Sequence, residues 1–462
     1  MLYLFWCANE LQQFRLPEFE SLSNLLDIPL NWVFRSSDYP WVILNLSSEQ
    51  EARKIISRSV SVKYCVHLWA EGKSLQEFHS NLKKFPFHEQ EQWFSEDVSF
   101  KVNVESFNRK VSADERIKKI ESLSYLPLKG PVSLKSPDIV FSYFEFHGFD
   151  HNNLPEEPCN IMFGRQIGEG QRDKITKLSI KKRKYIGNTT MDPQLSLLMA
   201  NLGKVDRGKL VYDPFVGTGS LLVAGAEYGG MVLGGDIDYL TLHARTRPSR
   251  KGQKVRAKDE SLLANFEQYD LASQYLGVIT GDFSLSPWRD QAWLDCVITD
   301  PPYGIREGTT RVGTAKDYST DAIPEEYLDS HIPEKIAYSL HHLLADLLNF
   351  SARSLVVGGR LVYWLPVIRQ VYTTSMAPTH PALRLVVDCE QVLSSHSSRR
   401  LLVMERVEGI GEAVVNKELT LFQEQFFLPT AGNISRKERK ERLKEHGHLN
   451  LSQEEMKQFS QK

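Results

Sequence analysis

Apolar and polar positions change their rhythm once along this 462-residue chain. The first third alternates short strand-like and helix-like pieces. Leu2–Cys7 and Trp41–Leu46 are apolar runs of strand length, and Glu49–Ser57 and Leu75–Lys84 read as helices. Ser99–Val104 alternates with period two, as a half-exposed strand does. Ala113–Ser122 reads as a charged helix, and Pro131–Leu134 and Asp138–Glu145 return to strand. From Leu210 the pattern becomes strand, turn, helix. Leu210–Tyr212, Met231–Gly235, Gly277–Thr280 and the mostly apolar run Trp293–Ile298 read as strands, with a helix at Leu221–Glu227. An amphipathic helix at Leu340–Ser354, a fifth strand within Leu355–Leu365 and a closing pair at Leu385–Val387 and Leu401–Glu405 follow. The front predicts an α+β region and the back an open α/β sheet.

Composition narrows the picture. The length predicts two or three domains, and 41% hydrophobic residues are ample for their cores. A formal net charge of -2 leaves any basic surface local. Five scattered cysteines without a C-x-x-C pair fit a reducing compartment and argue against a disulfide framework or a cysteine zinc site. No apolar run reaches membrane-spanning length, and the apolar start Met1–Trp6 is short and lacks a basic flank, so it reads as a first strand. The expected location is the cytosol. His67, His79 and His88 lack ligand spacing, and His341 and His342 have no third ligand near, so no metal is expected.

The candidate chemistry lies at the carboxyl ends of the back-half strands, the edge where open α/β sheets bind ligands. Asp213-Pro214-Phe215-Val216-Gly217-Thr218-Gly219-Ser220 joins the first strand to a helix. Its glycines admit close backbone approach. The third glycine of a dinucleotide fingerprint is replaced by Leu222, and a P-loop lysine is missing. An acid ahead of such a turn suits a cationic cofactor with an amino-acid tail. Asp236-Ile237 ends the second strand, where a carboxylate accepts from ribose hydroxyls, and Asp282-Phe283 follows the third, where an acid and a ring suit adenine. The fourth strand runs into Asp300-Pro301-Pro302-Tyr303. Two prolines stiffen the backbone and remove two donors, leaving carbonyl acceptors, a carboxylate and a flat ring. That bracket suits a planar base with an exocyclic amino group. Upstream, Thr189-Thr190-Met191-Asp192-Pro193 carries helix-start signals, and a helix N-terminus can hold a carboxylate.

These motifs carry a resemblance. Residues 189–405 resemble a class I S-adenosylmethionine-dependent methyltransferase of the amino-methylating type, through Asp213–Ser220 and Asp300–Tyr303. Ser99–Val102, the following charged helix and Val132–Asp138 resemble a THUMP domain, an RNA-binding module. With Thr190-Met191-Asp192-Pro193 at the join, the chain resembles the catalytic subunit of eukaryotic tRNA guanine-10 N2-methyltransferases. The resemblance implies a Rossmann-like methyltransferase sheet preceded by an α+β ferredoxin-like and THUMP region. It divides the chain into 1–60 (ferredoxin-like), 61–155 (THUMP-like), 156–188 (linker), 189–430 (methyltransferase) and 431–462 (charged tail). It implies Asp300, Pro301, Pro302 and Tyr303 as catalytic. Thr190, Asp213, Phe215, Gly217, Gly219, Asp236, Ile237, Asp282 and Phe283 are implied to bind the cofactor. It also implies a tRNA substrate and a small zinc-binding activator protein as partner. The same bracket occurs in enzymes that methylate adenine N6 or a glutamine amide, and a non-catalytic RNA-binding scaffold is a further alternative. The basic cluster Lys181–Lys184 reads either as a phosphate contact or as a solvated face, and Arg245–Lys258 either as a tRNA-facing loop or as a disordered solvated loop. Gly304–Thr320 reads as a mobile flap, and Arg436–Lys462 as a frayed helix or a disordered tail.

Overall fold

The computed structural model describes residues 1–303, 308–314, 333–395, 397–416 and 419. It divides into two compact units, residues 1–177 and 178–462.

The first unit holds strands β1 (Leu2–Cys7), β2 (Asn31–Phe34), β3 (Trp41–Asn45), β4 (Val62–Gly72), β5 (Phe100–Phe107), β6 (Ile139–Phe146) and β7 (Asn160–Glu169). Its helices are α1 (Arg15–Leu26), α2 (Glu49–Ile56), α3 (Leu75–Lys83), α4 (Ala113–Glu121) and α5 (Asp173–Lys177). Helix starts follow local chemistry: Ser48 and Ser74 cap α2 and α3, and Ser112 with Glu115 forms a reciprocal capping box on α4. The strands form one sheet in the order β2-β3-β1-β4-β7-β6-β5, with only β5 and β6 parallel among the paired neighbours. One core packs Phe5, Phe19, Val42 and Ile55; another packs Trp69, Phe78, Phe141 and Phe163.

This sheet corrects two expectations. Residues 1–60 and 61–155 share a single sheet, because β4 pairs with β1 on one side and with β7 on the other. The stretch 156–188 is also no simple linker, since it contains the interior strand β7. Its glycines misled the reading. A Cβ on Gly164 would sit 2.0 Å from the His67 carbonyl oxygen, so that glycine serves close strand approach rather than flexibility. Pro131–Leu134 forms no strand; Val132 makes an isolated bridge to Phe100.

The second unit begins its regular structure with α6 (Pro193–Leu202), β8 (Leu210–Asp213), α7 (Ser220–Glu227), β9 (Met231–Asp236), α8 (Tyr239–Leu242) and α9 (Leu262–Gln268). Then come β10 (Tyr275–Thr280), β11 (Leu294–Thr299), β12 (Thr310–Val312), β13 (Lys335–Ala337), α10 (Leu340–Ser354), β14 (Leu355–Ile368), β15 (Leu383–Val392) and β16 (Ser397–Arg406). The sheet order is β10-β9-β8-β11-β14-β16-β15. The first five strands are parallel, and β16 runs antiparallel to both β14 and β15. This is the expected Rossmann-like sheet with its closing hairpin. α10 buries Leu343, Leu344, Leu347 and Leu348 against Tyr212, Leu361 and Tyr363. Part of the expected flap, Thr310–Val312, pairs with Lys335–Ala337; Gly304–Glu307 and 315–320 lie outside the described residues, as does the tail after 419. Among the described residues, no helix is long and apolar enough to cross a membrane.

Candidate active site

The sheet order places four acids along one edge. Asp282 follows β10, Asp236 ends β9, Asp213 ends β8 and Asp300 follows β11, and those four strands are consecutive neighbours. Parallel strands present their carboxyl ends together, so residues up to 87 positions apart in sequence, Asp213 to Asp300, become electrostatic neighbours.

Asp213 is 1% exposed. One carboxylate oxygen accepts from the Phe215 N–H at 2.9 Å and from the Thr299 hydroxyl at 2.7 Å. Burial pushes its carboxyl up to about 7; those two donors pull it down, and the nearby Asp236 and Asp300 charges add to the rise. The glycine turn is then pinned to the next strand, because the Gly217 N–H donates to Asp236 at 2.8 Å. The other Asp236 oxygen accepts from the Asp238 N–H at 2.8 Å. Gly217 has φ +50°, where L side chains are strained, and a Cβ there would meet nothing within 4 Å. The space in front of this turn is open. Gly219, at φ +79°, has Leu262 of α9 close behind it, 2.7 Å from where a Cβ would stand.

Thr190 reaches the same turn: its hydroxyl lies 2.9 Å from that of Thr218 and also donates to the Gly187 carbonyl at 2.9 Å. Phe215 and Phe283 meet edge to face at 5.1 Å, and Phe283 rests on Phe350 of α10. Asp282 is buried and accepts from the Ser284 N–H at 2.9 Å and the Val312 N–H at 2.6 Å. The Ile237 carbonyl accepts from Lys335 at 3.1 Å. The small β12–β13 sheet therefore touches the Asp236–Asp282 end of the site through both of its strands.

The bracket lies on the other side of Asp213. Pro301 is buried, while Pro302 and Tyr303 are half-buried. The Tyr303 hydroxyl is buried and has no hydrogen-bond partner among the described residues. Asp300 faces a residue that sequence reasoning missed. Arg399 of β16 places Nη1 3.5 Å from Asp300 Oδ2, with its guanidinium carbon 4.0 Å over the Trp364 ring. Its Nε donates to Gln391 at 2.6 Å, and Nη2 lies 3.6 Å from the Met191 sulfur. Arg399 thus joins the bracket to the segment that starts α6. A sequence signal existed: Arg399 and Arg400 open a strand that must be buried, and a buried guanidinium requires a partner. Asp192 plays the structural part its position implies, capping α6 through the Gln194 and Leu195 N–H groups.

Two arginines of the basic stretches are internal. Arg183 is 1% exposed and donates to Ser220 and the Leu178 carbonyl. Arg256 pairs with Glu260 at 2.7 Å and lies over the Tyr185 ring. Among the described residues there is no group of three or more His, Cys, Asp or Glu side chains arranged to hold a metal ion.

Comparison with known proteins agrees with this division. Residues 1–172 match the family described as Tmrp11 THUMP N-terminal domain, and residues 181–317 match the RMKL-like methyltransferase domain. A Bos taurus protein named tRNA (guanine(10)-N(2))-methyltransferase TRMT11 is 46% identical over 409 residues, covering 88% of each chain. The Homo sapiens protein of that name is 44% identical over 441 residues, covering 95% of this chain and 94% of its own. Among solved structures, TrmN from Thermus thermophilus is 16% identical, with a TM-score of 0.44, over 88% of this chain and 100% of its own. With a THUMP front, a methyltransferase sheet and relatives matched along nearly its whole length, the chain belongs to the TRMT11 family of tRNA (guanine(10)-N(2))-methyltransferases.

Proposed function

We infer that this chain methylates the exocyclic N2 amino group of guanosine 10 in tRNA, in the cytosol, using S-adenosylmethionine and aided by a small zinc-binding activator protein. The observation that carries the reading is the bracket Asp300–Tyr303, set one strand from an open glycine turn in a chain matched nearly end to end by relatives named for that activity.

The residues at the strand ends fit the donor. Gly217 leaves a cradle that a side chain would fill. Asp236 would accept from the ribose hydroxyls, with Ile237 beside it. Asp282 and Phe283 would take the adenine, and each carboxylate oxygen of Asp282 keeps a second lone pair beyond the bond it already accepts. Phe215, Gly219, Thr190 and Asp213 would surround the amino-acid tail. When bound, S-adenosylmethionine supplies an electrophilic methyl group on a sulfonium.

The chain's own residues then prepare the base. The N2 lone pair of guanine is delocalised into the ring, so the nitrogen is a poor nucleophile. Asp300 and the Pro301 carbonyl accept its two N–H bonds and favour a more tetrahedral nitrogen. Pro302 stiffens the loop, and Tyr303 stacks on the flipped base. Arg399 holds the Asp300 carboxylate in position. Positioning of this kind supplies most of the rate.

The outer strand of the sheet supports a binding place for the partner. β10 is the outer strand of the sheet, and Leu276 and Ile279 on it are 52% and 37% exposed. An outer strand with exposed apolar side chains is a surface that suits a second protein. Mass spectrometry of tRNA nucleosides from cells lacking this chain tests the activity: N2-methylguanosine at position 10 should disappear, and its persistence would refute the reading.

A further inference from the structure

The two basic stretches of the second unit are far apart in sequence, yet the structure binds them into one surface. Neither 181–188 nor 245–258 contains a carboxylate, although the whole chain is slightly acidic. Arg250 donates to the Arg183 and Lys184 carbonyls, and Arg256 reaches the Ile186 carbonyl while lying over Tyr185. The Tyr185 hydroxyl donates to the Thr241 carbonyl. From the other side, Gln268 of α9 accepts from the Lys184 N–H at 2.8 Å and donates to the Lys182 carbonyl at 2.7 Å. Asn265 does the same for Tyr185 at 2.8 and 2.9 Å.

Internal partners therefore consume Arg183, Arg250 and Arg256, which act as the frame. What the frame presents outward is cationic. Lys181, Lys182 and Lys184 are exposed on the first segment; Arg245, Arg247, Lys251, Lys254 and Lys258 are exposed on the second. Two acids border the second segment. Asp259 lies 3.9 Å from Lys184, and Glu260 is occupied by Arg256. Tying together two loops that expose eight like charges costs repulsion, and a solvated face with no ligand has no need of a shared frame.

Both segments also lead into the glycine turn. The first continues through Gly187 to Thr190, which touches Thr218. The second leads into α9, whose Leu262 packs behind Gly219. We propose that this surface binds the phosphate backbone of the RNA substrate and holds it beside the glycine turn while the target base enters the bracket. The proposal rests on the tRNA reading above. RNA is favoured over an anionic membrane because the surface leads into the glycine turn, one strand from the bracket that would take the base.

The test uses the full chain with Lys251→Gln, Lys254→Gln and Lys258→Gln combined, all at exposed positions. Fluorescence anisotropy measures the Kd for labelled unmodified tRNA across a salt series, and calorimetry measures the donor Kd. The Kd for tRNA should rise tenfold or more, the slope of log affinity against log salt should become shallower by roughly two to three, and donor affinity should not change. Unaltered tRNA affinity and slope would overturn the proposal. So would an equal loss in a charge-matched control with Arg289→Gln, Arg353→Gln and Arg384→Gln, or capture of phosphatidylserine vesicles that depends on the same three lysines. Because binding is read without turnover, a chain that binds tRNA through this surface but leaves guanosine 10 unmethylated would sink the activity while sparing the surface.

Discussion

Replacing Arg399 separates positioning from cofactor binding. Its Nη1 stands 3.5 Å from Asp300 Oδ2, and the two side chains are 14% and 25% exposed. Unit charges at that distance attract by about 5 kcal/mol at an effective dielectric constant of about 20. Desolvation opposes this, since burial holds the Arg399 guanidinium below its usual pKa. The net hold on the carboxylate is on the order of 1–3 kcal/mol. Felt mainly in the transition state, that corresponds to roughly ten- to hundredfold in rate. Arg399→Gln should therefore lower kcat by about that factor and leave donor affinity near the parent value. Losing the cation also makes Asp300 easier to protonate, so the acid limb of the kcat profile should move to higher pH. Arg399→Lys keeps the charge but loses the flat face over Trp364 and the fork shared with Gln391 and Met191, so it should fall between. Methyl transfer to tRNA over a pH series, with calorimetry of donor binding, reads all three. Parent kcat in Arg399→Gln, or a loss carried wholly by donor affinity, would refute the reasoning.

Two further outcomes follow from other parts of the molecule. Burial raises Asp213 to about 7, so the folded state retains a proton that the unfolded chain has lost. Stability should then fall as pH rises from about 4 to about 7, by on the order of 4 kcal/mol; Asp213→Asn should flatten that slope in denaturant melts, and an unchanged slope would contradict the assignment. On β10, Leu276→Asp together with Ile279→Asp should abolish co-purification with the activator while leaving the isolated chain's melting temperature within a few degrees of the parent; undiminished co-purification would move the partner elsewhere.

The parallel sheet was legible because four of its five strands run into a turn carrying an acid, and turn chemistry is local. The front sheet was less so. β7 contains Gly164 because it packs tightly against β4 there, and local reading takes that glycine and Gly168 for a break. β4 itself shows no period-two alternation, since most of its side chains are buried. At the site, the acids and the bracket stood out, while Arg399 did not. It meets Asp300 only because β16 pairs antiparallel with β14, which pairs parallel with β11. The basic stretches were visible as charge. Which cations face inward depends on Tyr185, Asn265 and Gln268, contacts that span about 60 to 90 residues and leave no local trace.

The most direct test of the central claim compares the parent chain and Asp300→Ala, each with its activator, in single-turnover methylation of unmodified tRNA, with mass spectrometry of the fragment containing guanosine 10. The account predicts N2-methylguanosine at that position with the parent, and a rate at least a hundredfold lower with Asp300→Ala at donor affinity close to the parent's. Methylation by Asp300→Ala at the parent rate, or a methyl group found on another nucleotide, would contradict it.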